Sequence, residues 1–135
     1  MEEHSLTALT TLMALLLYFY MGLQVGQART KYNVPAPAIS GNPDFERVFR
    51  VQANTLEWLP IFVVSLWLFA IYWDDKVAAG IGMVWIIGRF LYMTGYTRAA
   101  GARSTGFGIQ ALATAVLWFG ALGKVVYTLF APPAA

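Results

Sequence analysis

Residues 45–60, FERVFRVQANTLEWLP, bring a regular series of polar side chains directly up to an apolar run, IFVVSLWLFAIYW, at residues 61–73. Within the first segment Arg50, Asn54 and Glu57 are spaced by four and three residues. An α-helix turns by about 100° per residue, so these three side chains share one helical face. Because an unpaired charge in hydrocarbon is costly, the segment predicts a membrane helix whose polar face meets specific partners.

The composition of the whole chain is that of a membrane protein. Of its 135 residues, 59% are hydrophobic and only 12% are charged, against about 25% charged residues in soluble domains. A net charge of +2 without a clustered basic patch does not favour nucleic-acid binding. The chain has no cysteine and one histidine, His4. A protein thiol nucleophile and a histidine-rich metal site are therefore excluded, and His4, so near the N-terminus, is not expected to serve a Ser-His-Asp triad.

Four segments are long and apolar enough to cross a membrane. Ser5–Ala28 and Ser104–Gly123 contain no charged residue, and about 20 apolar residues span the hydrocarbon core as a helix. Another helix is predicted to begin at Asn42-Pro43-Asp44, which combines an N-cap with proline in the first turn. The chain is therefore predicted to be all-α, a single integral membrane domain over residues 1–135. Its spans are expected at about residues 5–30, 43–73, 76–100 and 104–130.

The basic residues predict the orientation in the membrane. The opening Glu2-Glu3 is acidic, unlike a secretory signal, so the first span is expected to be retained. Lys76 and Lys124 are the basic residues on one side, whereas the other side holds Arg29, Lys31, Arg47, Arg50, Arg98 and Arg103. The positive-inside rule places the arginine-rich side in the cytoplasm and both termini opposite. The expected location is the inner membrane of a bacterium or the endoplasmic reticulum of a eukaryote.

A second polar stripe is predicted on the third span. Its members follow at spacings of three, four and seven residues: Arg89, Tyr92, Tyr96 and Arg103. Arg103 joins this stripe only if the helix continues through Gly101. The two stripes together predict a cationic pocket with aromatic edges at the cytoplasmic ends of the second and third spans. Gly88 and Gly95 lie on one face and predict a surface that another helix approaches closely.

Three features of these stripes leave alternatives open. Arg50 and Glu57 form either part of a ligand site or a structural charge network. Gln52 points about 160° away from Arg50, so it either caps a neighbouring backbone or serves a pocket in an adjacent subunit. Arg89 lies nearest the membrane interior, and an internal ion pair or carbonyl contacts are expected for it in preference to substrate.

Three stretches of the chain resemble the MAPEG family, the membrane-associated proteins in eicosanoid and glutathione metabolism. They are FERVFRVQANTLEWLP (45–60), GRFLYMTGYTRAAGAR (88–103) and LQVGQAR (23–29). Within the family the chain is similar to the microsomal glutathione transferase and leukotriene C synthase branches. The resemblance covers nearly all of the chain. It implies a four-helix transmembrane bundle assembled as a homotrimer, with glutathione bound between neighbouring subunits.

The resemblance also implies roles for individual residues. Arg103 matches the arginine that stabilises the glutathione thiolate. The matches to glutathione-binding residues are Arg50, Asn54, Glu57, Trp58, Tyr92 and Tyr96, with Arg29 and Gln52 supplied by the adjacent subunit. Trp58 stands where the leukotriene C synthase branch has a tyrosine, so a hydroxyl contact is lost. Thr30 stands where that branch has an arginine, so a proton donor is lost there.

The implied function is that of a membrane-bound glutathione transferase with glutathione as co-substrate. A lipophilic electrophile, or a lipid hydroperoxide in a peroxidase reaction, is expected to reach the site from membrane lipid. Arginines suit the carboxylates of glutathione through charge-assisted hydrogen bonds. A cation beside a thiol lowers its pKa from about 8.5. The alternative is a non-catalytic lipid-binding scaffold similar to the lipoxygenase-activating protein, and the complete polar set argues against it.

Overall fold

The computed structural model describes residues 2–133, and in that part of the chain four long helices form the fold. They are α1 (Ser5–Tyr32), α2 (Pro43–Tyr72), α3 (Asp75–Arg98) and α4 (Ser104–Phe130), with 3-10 turns at Glu2–His4 and Ala100–Arg103. Each long helix is apolar enough to cross a membrane. The predicted all-α, four-helix membrane class is therefore confirmed. The helix ends lie within two residues of the predicted spans.

Polar side chains define where the helices begin. The side-chain oxygen of Asn42 accepts hydrogen bonds from the backbone N–H groups of Asp44 at 2.8 Å and Phe45 at 3.1 Å. Asp74 accepts from the backbone N–H of Val77 at 2.9 Å at the start of α3. Such caps satisfy donors that a helix end leaves without partners. They explain why α2 and α3 begin at the Asn-Pro-Asp and Asp-Asp sequences.

The carboxylate of Asp75 joins the beginnings of α1 and α3. It accepts hydrogen bonds from the backbone N–H groups of Leu6 at 3.2 Å and Thr7 at 2.9 Å, and from the Thr7 hydroxyl at 2.7 Å. A carboxylate at a helix N-terminus complements both the free N–H groups and the helix dipole. This contact fixes the end of the bundle opposite the Ala100–Arg103 turn.

Close packing between α3 and α4 depends on glycine. A Cβ added at Gly106 would lie 2.1 Å from the backbone nitrogen of Tyr92, and one added at Gly88 would lie 2.7 Å from that of Gln110. A Cβ at Gly95 would lie 2.3 Å from the carbonyl oxygen of Ala102. The close helix approach predicted at Gly88 is confirmed, whereas the neighbour of Gly95 is the Ala100–Arg103 turn and not another long helix. This packing sets α3, with its polar stripe, in a fixed position between α2 and α4.

Candidate functional site

An open cavity of about 290 Å³ lies between α2 and α3, at the end of the bundle that carries the Ala100–Arg103 turn. The residues that line it are Arg50, Ala53, Asn54, Glu57, Tyr92, Tyr96 and Arg103. Six of the nine residues predicted to form the site are therefore brought together around one cavity. The three that are not in its lining are Arg29, Gln52 and Trp58.

Helix α2 supplies one wall of the cavity through its polar stripe. Arg50 and Glu57 are exposed to solvent, whereas Asn54 between them is half-buried. Over residues 2–133, neither a hydrogen bond nor an ion pair joins Arg50 to Glu57; the one ion pair there is between Arg47 and Asp44 in the first turn of α2. The structural charge network considered from the sequence is not formed within these residues. Both charges remain available to a ligand.

Helix α3 supplies an aromatic wall. Tyr92 and Tyr96 are 3% and 7% exposed, with ring centroids 5.5 Å apart and ring planes inclined at 53°. The guanidinium carbon of Arg103 lies 5.3 Å from the centroid of the Tyr96 ring. Cation–aromatic contacts of this length hold a guanidinium at a defined position. The cation at the mouth of the cavity therefore rests on a buried aromatic surface.

Arg103 reaches the cavity through a break in the helix. Its place in the polar stripe was predicted only for a helix that continues through Gly101, and that condition is not met. Helix α3 ends at Arg98, Ala99 is extended (φ −161°, ψ 142°), and Ala100–Arg103 forms a 3-10 turn before α4 begins. The turn folds back because Gly95 leaves room for the carbonyl of Ala102. The reversal, not a longer helix, brings Arg103 over Tyr96.

Two of the remaining predicted site residues have contacts elsewhere in the chain. Arg29 donates from Nη1 to the carbonyl oxygens of Val34 at 3.2 Å and Ala38 at 2.7 Å, so it holds the connection between α1 and α2. Gln52 faces α1, where its Nε2 would lie 3.1 Å from a Cβ added at Gly22. Gln52 thus points away from the cavity, as its helical position predicted.

Trp58 belongs to the packing behind the cavity wall. Its ring lies edge-on to Phe107 of α4, with centroids 5.6 Å apart and ring planes at 86°. It also lies 6.0 Å from the guanidinium carbon of Arg89. The indole therefore contributes an aromatic surface to α3 and α4 and is not in the cavity lining.

The partners of Arg89 differ in part from those expected. Its Nη1 donates to the side-chain oxygens of Asn54 at 2.8 Å and Thr55 at 3.3 Å. The expected ion pair is not formed among the described residues, whereas the expected carbonyl contact is made to the side-chain amide of Asn54, because at this level α2 turns two polar side chains toward α3. Sequence spacing gave the face of each helix but not their relative rotation. The hydrogen bond to Asn54 links a completely buried cation to a residue of the cavity lining.

The sequence of this chain is similar to those of known proteins. The family model described as "MAPEG family" matches residues 7–123. Microsomal glutathione S-transferase 2 of Homo sapiens is 50% identical over 108 residues, which cover 77% of this chain and 71% of that protein. Leukotriene C4 synthase of Mus musculus is 39% identical over 132 residues, 95% of this chain and 86% of that protein. A protein of Synechocystis sp. named only as uncharacterized is 50% identical over 122 residues, 90% and 89% of the two chains.

Proposed function

Because this chain belongs to the MAPEG family, whose model matches residues 7–123, we propose that it is a membrane-bound glutathione transferase of the microsomal type. Its relatives named as glutathione transferase and leukotriene C4 synthase support a glutathione-related activity at a membrane. The observation that carries the proposal for this chain is the cavity between α2 and α3. It combines the guanidinium groups of Arg50 and Arg103, the carboxylate of Glu57 and an aromatic wall.

The polar groups of the cavity complement those of glutathione. Glutathione carries two carboxylates, one ammonium group and one thiol. Arg50 and Arg103 offer donors to the carboxylates and to the sulfur, and Glu57 offers an acceptor to the ammonium group. Guanidinium–carboxylate hydrogen bonds are stronger than neutral ones and define the direction of the ligand. A bound tripeptide would thus be held by charge at both ends.

Arg103 is the proposed catalytic residue because it places a cation next to the bound sulfur. A neighbouring cation lowers the pKa of a thiol from about 8.5 and so raises the fraction of the reactive thiolate. Each unit of that shift corresponds to about 1.4 kcal/mol. The thiol proton leaves to solvent, and the sulfur lone pair forms a bond to the electrophilic carbon. The leaving group departs with the electrons of its own bond.

The second substrate of the proposed reaction is a lipophilic electrophile, which reaches the sulfur from the surrounding lipid. A lipid hydroperoxide is the corresponding substrate of a peroxidase reaction. In that case the O–O bond is reduced to an alcohol and water while two glutathione molecules are oxidised to the disulfide. Both reactions use the same thiolate, so the same cavity supports both proposals.

The proposed activity predicts that glutathione binds as a thiolate. Adding glutathione to the purified protein in detergent should produce the ultraviolet absorbance of a thiolate at a pH well below the normal thiol pKa. The same sample should conjugate glutathione to chlorodinitrobenzene. S-methylglutathione is the matched control, because it retains the peptide but has no ionisable thiol; it should compete for binding and give no thiolate signal. Absence of both glutathione binding and thiolate would overturn the enzyme proposal and leave the lipid-binding scaffold.

We further propose that the working form is a homotrimer in which Arg29 and Gln52 of one subunit complete the cavity of the next. The cavity of a single subunit is open, and its two charged α2 residues, Arg50 and Glu57, are exposed. Gln52 lies on the opposite side of α2 and does not line the cavity of its own subunit. In the proposed orientation the arginine-rich end that carries the cavity faces the cytoplasm.

The shared site predicts that two inactive variants restore each other. Arg103→Leu removes the catalytic cation from a subunit's own cavity, whereas Gln52→Leu removes the contribution to the next one. Co-expressed chains should form mixed trimers in which some cavities have both an intact Arg103 and an intact neighbouring Gln52. Conjugation should then exceed that of either variant alone, and native mass spectrometry should give a trimer. A monomeric mass, or no recovery in verified mixed assemblies, would contradict the shared site.

A further inference from the structure

Arg89 is a completely buried cation directly behind the cavity wall. It is 0% exposed and lies on α3 three residues before Tyr92. Four aromatic rings surround its guanidinium carbon. The distances from this carbon to the ring centroids are 4.6 Å for Tyr92, 5.7 Å for Trp85, and 6.0 Å for both Trp58 and Phe107. In the part of the chain that the structure describes, no carboxylate forms an ion pair with it. The faces of aromatic rings attract a cation, so the rings take the place of a counter-ion.

The hydrogen bonds of Arg89 determine how the Asn54 amide is turned. Arg89 Nη1 lies 2.8 Å from Asn54 Oδ1. A guanidinium group has donors and no acceptor, so the amide oxygen of Asn54 must face Arg89. The amide nitrogen then points elsewhere, and within residues 2–133 it donates to no protein acceptor. Because Asn54 also lines the cavity, its two free N–H donors are available to a ligand there.

We propose that Arg89 is a positioning residue of the glutathione site, which holds Asn54 with its N–H₂ group toward the ligand and supports Tyr92 from behind. This inference rests on the glutathione-binding function proposed above. It has a consequence for specificity. The cavity beside Asn54 should accept a carboxylate or peptide carbonyl oxygen and reject an ammonium group, leaving Glu57 as the acceptor for the ligand's ammonium group.

The remaining donors of Arg89 distinguish a positioning role from a role in stability. Nε and Nη2 have no hydrogen-bond partner among the described residues. A buried charge with unsatisfied donors contributes little to folding, and apolar replacements of similar volume are often neutral or stabilising. We therefore expect Arg89→Met to fold and assemble normally. Its defect should appear in ligand binding.

A double-mutant cycle on Arg89 and Asn54 tests this role. Arg89→Met and Asn54→Ala should each raise the KM for glutathione about tenfold, the size expected for one lost charge-assisted hydrogen bond. The KM of the double variant should not exceed that of the single variant with the higher KM, because both changes remove the same contact to the ligand. The value of kcat at saturating glutathione should change much less than KM. Arg89→Lys keeps a charged donor and should recover most of the affinity.

The controls separate this proposal from the one on which it rests. Arg98→Met removes an exposed arginine from the same helix outside the cavity lining and should leave KM unchanged. A wild-type protein without affinity for glutathione would contradict the proposed function itself. The positioning role alone would be overturned by another result: the wild type binds glutathione, but the two single increases in KM multiply to about a hundredfold in the double variant. If Arg89→Met fails to fold, Arg89→Leu, a second apolar replacement without a donor, takes its place in the same cycle, and multiplying losses there have the same meaning.

Discussion

Replacing Arg103 with leucine should reduce kcat/KM for conjugation by about a hundredfold or more, the range observed when one preorganised donor to a developing charge is removed. Glutathione binding should weaken much less, because Arg50 and Glu57 still hold the charged ends of the peptide. The physical reason is that Arg103 acts on the ionisation of the sulfur more than on the peptide. Stopped-flow absorbance of the thiolate and calorimetric titration with glutathione would measure the two effects separately.

Arg98→Leu provides a matched control for this substitution. It removes the same charge from the same end of the bundle, but Arg98 lies outside the cavity lining, and its Nε donates to the carbonyl oxygen of Thr94 at 3.1 Å. It should leave both thiolate formation and conjugation close to those of the wild type. Equal losses of glutathione binding and conjugation in Arg103→Leu would show that Arg103 only binds the peptide. If Arg103→Leu lost neither glutathione binding nor conjugation, Arg103 would have no part in the site.

The position of Arg103 also shows where prediction from sequence reached its limit. The α2 stripe follows from the helical repeat alone, because Arg50, Asn54 and Glu57 lie within two turns of one continuous helix. Arg103 follows Ala99 and Gly101 in a segment, RAAGAR, that contains no proline. Whether this segment continues the helix or reverses depends on a tertiary contact, the packing of the Ala102 carbonyl on Gly95. Local periodicity carries no information about that contact.

The ion pair expected for Arg89 is not formed among the described residues for a related reason. The sequence placed Arg89 and Tyr92 on one face of α3, and Asn54 on one face of α2. It did not give the rotation of one helix about the other, which is determined by side chains along the whole interface. The stacking of Phe62 on Trp85, with centroids 4.0 Å apart and ring planes at 5°, lies in that same interface. Within it, a buried arginine lies opposite an amide instead of a carboxylate.

Gly106→Ala should have the largest effect on the structure, because the added methyl group would meet backbone atoms that cannot rotate away. Its Cβ would lie 2.1 Å from the nitrogen of Tyr92, 2.6 Å from the Cα of Tyr92 and 2.6 Å from the carbonyl oxygen of Gly88. Relief of these clashes requires α3 and α4 to move apart. Overpacking of this kind costs roughly 1–3 kcal/mol. The displacement also carries Tyr92 out of the cavity wall, so conjugation should fall together with the unfolding temperature in detergent.

Gly108→Ala is the matched control, two residues further along the same helix. A Cβ at Gly108 would meet no atom within 4 Å, and alanine is favoured over glycine in a helix by about 0.5–1 kcal/mol. Its unfolding temperature should therefore be equal to or above that of the wild type, with conjugation unchanged. The same chemical change would thus have opposite effects at two positions of α4. If both variants unfold at the wild-type temperature, α3 and α4 do not pack through Gly106, and the position of Tyr92 in the site would have to be set by other contacts.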